Sequence, residues 1–186
     1  MKRMSEKIYL QLPVPTEEDF RSSARRIGDA LEKAYGKIRV PVHTLRKLYP
    51  LCQKADWKIT VTLSWNGEGW TLSNVEAGDT SASHYGLAVD LGSTTVVMEA
   101  VDLQSGKVLA SRTAVNSQVE FGNEILSRIF AGHENPEVLE KLRLATVGSI
   151  QGLIEDLSRE LSYDLRACGM LVISGNTTMI HFLLGL

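Results

Sequence analysis

The stretch YGLAVDLGSTTVVMEAVD, residues 85–102, decides how the chain is read. An apolar run ends at Asp90, a polar turn follows, and a second apolar, β-branched run begins near Val96. Two such runs about a tight turn predict antiparallel strands. Asp90 would stand at the end of the first strand and point out of the sheet. A carboxylate there can hold a hard divalent cation, with Mg2+ preferring to bind through waters. Gly92 permits positive φ and lets a phosphate approach the backbone closely. Ser93, Thr94 and Thr95 add hydroxyls, and the turn adds backbone N–H groups aimed at one point, a nest for phosphate oxygens. The competing reading is a polar hairpin turn with no ligand.

Downstream, LQSGK (103–107) turns the chain, VLASRTAVN (108–116) predicts a third strand, and FGNEILSRIFAG (121–132) reads as helical. Asn135 is expected to cap a long helix with Pro136 at its first position. Leu139, Leu142, Ile150, Leu153, Leu157 and Leu161 form its apolar face. Run to about residue 162, it is roughly 40 Å long. CGMLVISGN (168–176) is a buried strand, and TTMIHFLLGL (177–186) opens a helix. Three meandering strands joined by helices to a fourth imply an α/β fold with a mixed sheet.

A second loop, Ser174 to Thr178, ends the last strand. Gly175, Asn176, Thr177 and Thr178 at a strand's carboxyl end, before a helix, suit an anion at the helix N-terminus. The plainer reading is an N-cap made by Asn176 or Thr177. Both loops are expected at one edge of the sheet. NSQVEFGNEILSRI (116–129) adds the polar positions Asn116, Gln118 and Glu124. They serve as caps and a solvated helix face, or else Gln118 or Glu124 orients a water or the metal. His133 and His181 read as surface or satisfied core histidines.

Upstream, KIYLQLPVP (7–15) is extended. Thr16 is expected to cap a helix whose first turn holds Glu17, Glu18 and Asp19. Phe20, Ala24, Ile27, Leu31 and Ala34 make its apolar stripe, and Gly36 ends it. PVHTLRKLYPLCQKA (41–55) predicts a shorter helix using Leu45 and Leu48, interrupted near Pro50. WKITVTLSW (57–65), NGEG and WTLSNVEAG (70–78) form a hairpin. Residues 1–78 therefore read as a small α+β domain, 79–84 as a linker, and 85–186 as a separate α/β unit.

The 186 residues are 44% hydrophobic and 23% charged with a net charge of -2, the mix of a soluble globular protein. That charge gives no case for nucleic acid. No run approaches the roughly eighteen apolar residues that span a bilayer, and no signal segment is evident, so a cytoplasmic location is expected. Cys52 and Cys168 read as free thiols. An iron–sulfur cluster normally needs four thiolates, so this chain cannot ligate one unaided.

Strand, Asp-x-Gly-Ser-Thr, strand, glycine turn, third strand and helix together resemble the opening of the ribonuclease H-like ATPase fold of actin, hexokinase and the heat-shock chaperones. A narrower resemblance covers nearly the whole chain. LAVDLGSTTVVMEAVDLQSGKVLAS (87–111), NSQVEFGNEILSRI (116–129) and SGNTTMIHFLLGL (174–186) together resemble the ATP-dependent reductive activators of corrinoid proteins. KIYLQLPVPTEED (7–19) and ADWKITVTL (55–63) resemble the linker and middle domain of that family. The resemblance implies an N-terminal iron–sulfur domain that supplies electrons, and an actin/hexokinase-type ATPase domain. That domain couples ATP to reduction of a cob(II)amide corrinoid protein to the cob(I)amide state. It also implies homodimers and a corrinoid protein as partner.

This chain departs from the pattern. It has no cysteine cluster and stops at Leu186, about the middle of the expected ATPase domain. Asn116-Ser117-Gln118 stands for Asn-Pro-Gln, and Glu124 for an expected Asp. It is therefore expected to be a fragment or shortened member, supplying the middle domain and the first phosphate-binding half of the ATPase. Alone it should bind nucleotide weakly at best, because half the cleft walls are missing. The resemblance makes Asp90, Gln118 and Glu124 the catalytic candidates, with Asp90 on the metal. The alternatives are a small-metabolite kinase of the same superfold and a non-catalytic docking module for a corrinoid protein.

Overall fold

The computed structural model describes residues 4–186, Arg166 by its backbone only. They divide into one unit ending at His84 and a second spanning Tyr85–Leu186. The first unit comprises β1 (Ser5–Gln11), α1 (Ser23–Tyr35), α2 (Val42–Lys54), β2 (Lys58–Trp65) and β3 (Trp70–Ala77). Its strands pair antiparallel in the order β1-β2-β3. The alternating stretch becomes the central strand, and Ile59, Val61 and Leu63 are buried in one apolar cluster with Ile27, Leu31, Leu48 and Cys52 of the two helices. Thr60 and Thr62, on the other face, are buried as well. The stretch after β3 is tied to that sheet. Thr60 Oγ1 donates to Gly78 O at 2.6 Å and accepts from Thr80 N–H at 2.9 Å, and Lys7 Nζ donates to Ser83 O at 2.8 Å.

Both helices of this unit correct the sequence reading. The first begins at Ser23, with Ser22 as its N-cap accepting from Arg25 N–H at 3.2 Å. Thr16 closes a separate turn instead, its hydroxyl accepting from Asp19 N–H at 3.1 Å, and Phe20 is 89% exposed. The cause is Arg26. Its wholly buried guanidinium takes the Asp19 carboxylate at 2.7 Å and the carbonyls of Pro13, Asp19 and Arg21. It also stands 5.5 Å from the centre of the Trp57 ring. Residues 13–21 therefore wrap around a cation instead of winding into a helix.

The second helix runs through Pro50. Leu48 and Cys52, both buried, flank the proline and hold that turn against the sheet despite the cost of an interior proline. Leu45 is exposed.

Arg26→Met keeps the apolar stem and removes every donor. It is expected to lower the stability of this unit by about 2 kcal/mol in chemical denaturation. The larger penalties of a broken buried ion pair are discounted because Asp19 is partly solvated. Arg21, and after it Arg26, hold the Asp19 carboxyl well below the usual carboxylate range. Its contribution is therefore complete above the unfolded value of about 4 and is lost progressively as pH falls below that. Asp19→Asn is expected to flatten the acid limb of the unit's stability-against-pH curve; an unchanged limb would contradict this.

The second unit comprises β4 (Tyr85–Leu91), β5 (Thr95–Asp102), β6 (Val108–Val115), a short 3₁₀ turn (Ser117–Phe121), α3 (Ile125–Glu134), α4 (Pro136–Leu161), β7 (Met170–Gly175) and α5 (Thr177–Leu184). Its sheet runs β6-β5-β4-β7, antiparallel except for the parallel pair β4–β7. This is the expected α/β unit with a mixed sheet, preceded by a small α+β unit.

Asn135 caps α4, accepting from Glu137 N–H at 2.8 Å, with Pro136 first in the helix. Leu142, Ile150, Leu153 and Leu157 of α4 are buried in one cluster with Leu87, Val89 and Leu91 of β4 and Val96, Met98 and Ala100 of β5. The helix expected over 121–132 starts only at Ile125, because the 3₁₀ turn intervenes and closes with Gly122 N–H on Val119 O at 3.1 Å. Among the described residues, no helix is long and apolar enough to cross a membrane.

Candidate functional site

The alternation along β4 sends Leu87, Val89 and Leu91 into the core, so Ala88 and Asp90 face the other way and are exposed. The parallel register sets Asp90 beside Ser174 and Leu91 beside Gly175. Both candidate loops therefore leave the carboxyl ends of adjacent parallel strands, the place where open α/β sheets receive ligands.

Two glycines permit this closeness. A Cβ on Gly175 would lie 2.8 Å from Leu91 O, and one on Gly92 would lie 2.6 Å from Thr95 O. Gly92 N–H donates to that same Thr95 oxygen at 3.0 Å. Gly92 does not use the positive φ open to it. It is required because the turn brings two backbones together.

The carbonyls of the 92–95 turn are pinned from within. Asn116 Nδ2 donates to Gly92 O at 2.9 Å, Arg128 Nη1 to Ser93 O at 2.5 Å, and Asn116 N–H to Thr94 O at 2.8 Å. In a trans peptide the carbonyl and the following N–H point in opposite directions. The N–H groups of Ser93 and Thr94 are thus turned away from their braces. Neither has an acceptor among the described residues, and Thr94 is exposed. The hydroxyls of Ser93, Thr94 and Thr95 are likewise unpartnered among the described residues. Two adjacent free donors on a pinned turn are the arrangement an anion nest requires.

In the second loop Asn176 acts as the N-cap of α5, its Oδ1 accepting from Met179 N–H at 3.0 Å. The cap uses one first-turn donor and leaves those of Thr177 and Thr178, which precede it, without a helical acceptor. Capping and anion binding are therefore compatible here.

Asp90 shares a recess of about 360 Å³ on the open sheet face with Ala88, Val97, Glu99, Val172 and Ser174. Its carboxylate has no partner among the described residues. Among them no group of three His, Cys, Asp or Glu side chains could hold a metal ion. A cation held by Asp90 must therefore bring waters or phosphate oxygens, which is how Mg2+ binds nucleotides. Burial raises the thiols of both Cys52 and Cys168, so neither presents a ready thiolate.

Gln118 does not join the site. Its side chain is wholly buried, and Nε2 donates to Leu142 O at 3.1 Å and Thr146 Oγ1 at 2.6 Å. Nε2 braces the 3₁₀ turn against α4, while Oε1 is buried without a partner among the described residues. Glu124 occupies the N-cap position of α3, exposed and making no side-chain capping bond.

The sequence reading treated Asn116 only as a polar position and overlooked Arg128. A signal for Arg128 existed. Ile125, Arg128, Ile129 and Gly132 share one helix stripe, and a cation on an apolar stripe needs a buried acceptor.

Comparison with known proteins now places this geometry. Residues 1–82 match the model of the RACo linker region, and residues 85–186 match that of the RACo middle region. The corrinoid activation enzyme RamQ of Eubacterium limosum is 35% identical over 102 residues, covering 55% of this chain and 17% of that protein. The solved structure of a reductive activator for corrinoid, iron-sulfur protein aligns with a TM-score of 0.77 at 33% identity, covering 98% of this chain and 29% of that one. The chain thus spans less than a third of either relative. It belongs to the RACo family, matching that family's linker and middle regions.

Proposed function

We propose that the paired loops of the second unit bind the phosphates of Mg2+–ATP, in a protein that drives reductive activation of a corrinoid partner. The observation that carries this reading is the placement of two donor-rich loops and the free Asp90 carboxylate at the ends of adjacent parallel strands. The names of the two relatives, a corrinoid activation enzyme and a reductive activator, supply the biological direction.

In this reading Asp90 would hold Mg2+, which would neutralise the phosphate charge. The N–H groups of Ser93 and Thr94 take phosphate oxygens from one side, and those of Thr177 and Thr178 approach from the other. Gly92 and Gly175 keep the two loops close, and Thr95 closes the first of them. The exposed Glu124 is available to orient a water. Phosphoryl transfer needs little beyond such positioning and charge neutralisation. ATP would supply the free energy, and the single electron that takes cob(II)amide to cob(I)amide would have to come from a redox group outside this chain, which has no cysteine cluster to hold one. A change of nucleotide state shifts a domain equilibrium that exposes the bound corrinoid. A cytoplasmic homodimer acting on a corrinoid protein completes the proposal.

Asp90→Asn tests the metal's place. In calorimetric titrations with and without a chelator, the variant is expected to lose about tenfold in affinity for ATP only when Mg2+ is present. Equal affinities for the two proteins in the presence of Mg2+ would remove Asp90 from the site.

A further inference from the structure

Arg128 is wholly buried, yet no carboxylate pairs with it among the described residues. Its acceptors are two backbone carbonyls: Ser93 O at 2.5 Å from Nη1 and Gly122 O at 2.7 Å from Nε. Nη2 is buried with no acceptor among the described residues. A buried cation without a counter-charge is costly, and a well-packed apolar side chain in such a slot is often the more stable choice. The neighbours Ile125 and Ile129, on the same stripe of α3, pack into the core in the ordinary way. Stability therefore does not account for the arginine.

Its geometry does. A planar guanidinium holds two carbonyls in a fixed fork, a geometry that the compact ammonium of a lysine does not reproduce. By drawing the Ser93 carbonyl inward, Arg128 turns the next N–H, that of Thr94, outward. Asn116 does the same one peptide earlier. The positive charge of Arg128 beneath the turn also favours an anion above it.

We infer that Arg128 is a positioning residue of the anion-binding turn, holding the Ser93–Thr94 peptide in the orientation that presents the Thr94 N–H to a phosphate oxygen. The inference rests on the nucleotide reading above for the identity of the anion, though not for the orientation of the peptide.

The test uses the whole 186-residue chain, labelled for amide detection, with MgATP and inorganic phosphate as the probes. Arg128→Met keeps the stem and removes the donors, and Arg128→Lys restores the charge and donors without the planar fork. The Met variant is expected to move the Thr94 amide signal in the free protein. Among folded molecules it is also expected to weaken MgATP binding by about tenfold, with the Lys variant recovering to within about threefold of the parent.

A folded Met variant with an unmoved Thr94 signal and unchanged affinity overturns the inference. So does one that melts earlier but binds as the parent does, since Arg128 would then be a strut. If the parent chain, which carries only part of the expected cleft, answers neither probe, the nucleotide reading fails for this chain. The free-protein signals then decide the positioning role: displaced in Met and restored in Lys supports it, unmoved overturns it. Should Arg128→Met not fold, Arg128→Gln, which removes the charge and shortens the reach, is read in its place.

Discussion

Gly175→Ala is expected to destabilise the second unit by about 3 kcal/mol and to abolish measurable MgATP binding. The added methyl would lie 2.8 Å from Leu91 O and 3.2 Å from Leu91 Cβ. Neither atom can yield easily, because β4 is paired on both sides, to β5 and β7. The strain is relieved only by moving the end of β7 away from β4. That movement separates the two loops, so the loss of binding should exceed what the loss of stability explains. Urea denaturation of the second unit, together with a MgATP titration, checks both parts. A variant that keeps its midpoint would show that the end of β7 shifts freely and that the loops are not held as a pair.

Leu142→Ala is expected to cost about 4 kcal/mol, near the upper part of the range for a buried leucine. Leu142 has no exposed surface, and its side chain lies against Gly132 of α3. The helices that meet there cannot close the gap without disturbing α4, whose packing against β4 and β5 forms most of the core. The consequence reaches the site. The carbonyl of residue 142 accepts from Gln118, and Gln118 N–H donates to Asn116, which braces Gly92. A loosened α4 should therefore raise amide exchange at residues 92–95 before the unit unfolds. A stability loss below about 1 kcal/mol would mean that the core can repack around the cavity.

Much of this was legible in the chain itself. The strands at 85–115 follow from β-branched runs and glycine turns, and the long helix from Asn135-Pro136 and its leucine spacing. The pairing of the two loops followed from both lying at strand ends. What escaped depends on contacts distant in sequence. Glu17, Glu18 and Asp19 imitate the start of a helix, but Asp19 is drawn to Arg21 and Arg26, so the true cap is Ser22. Pro50 reads as a break, yet the burial of Leu48 and Cys52 carries the helix past it. Gly92 announces an unusual φ, whereas its requirement is the nearby Thr95 oxygen. Gln118 reads as a polar site residue, but the covering helix α4 takes its amide into the core. Arg128 was hidden because its acceptors are carbonyls of loops that sequence cannot bring together.

The central claim is that the 90–95 and 174–178 loops form one nucleotide-binding edge. Amide mapping of the chain during a MgATP titration tests it most directly. The account predicts that the largest displacements fall together on Ser93, Thr94, Gly175 and Thr177 and follow one binding curve. No displacement at saturating MgATP, or displacements confined to the first unit, would contradict it.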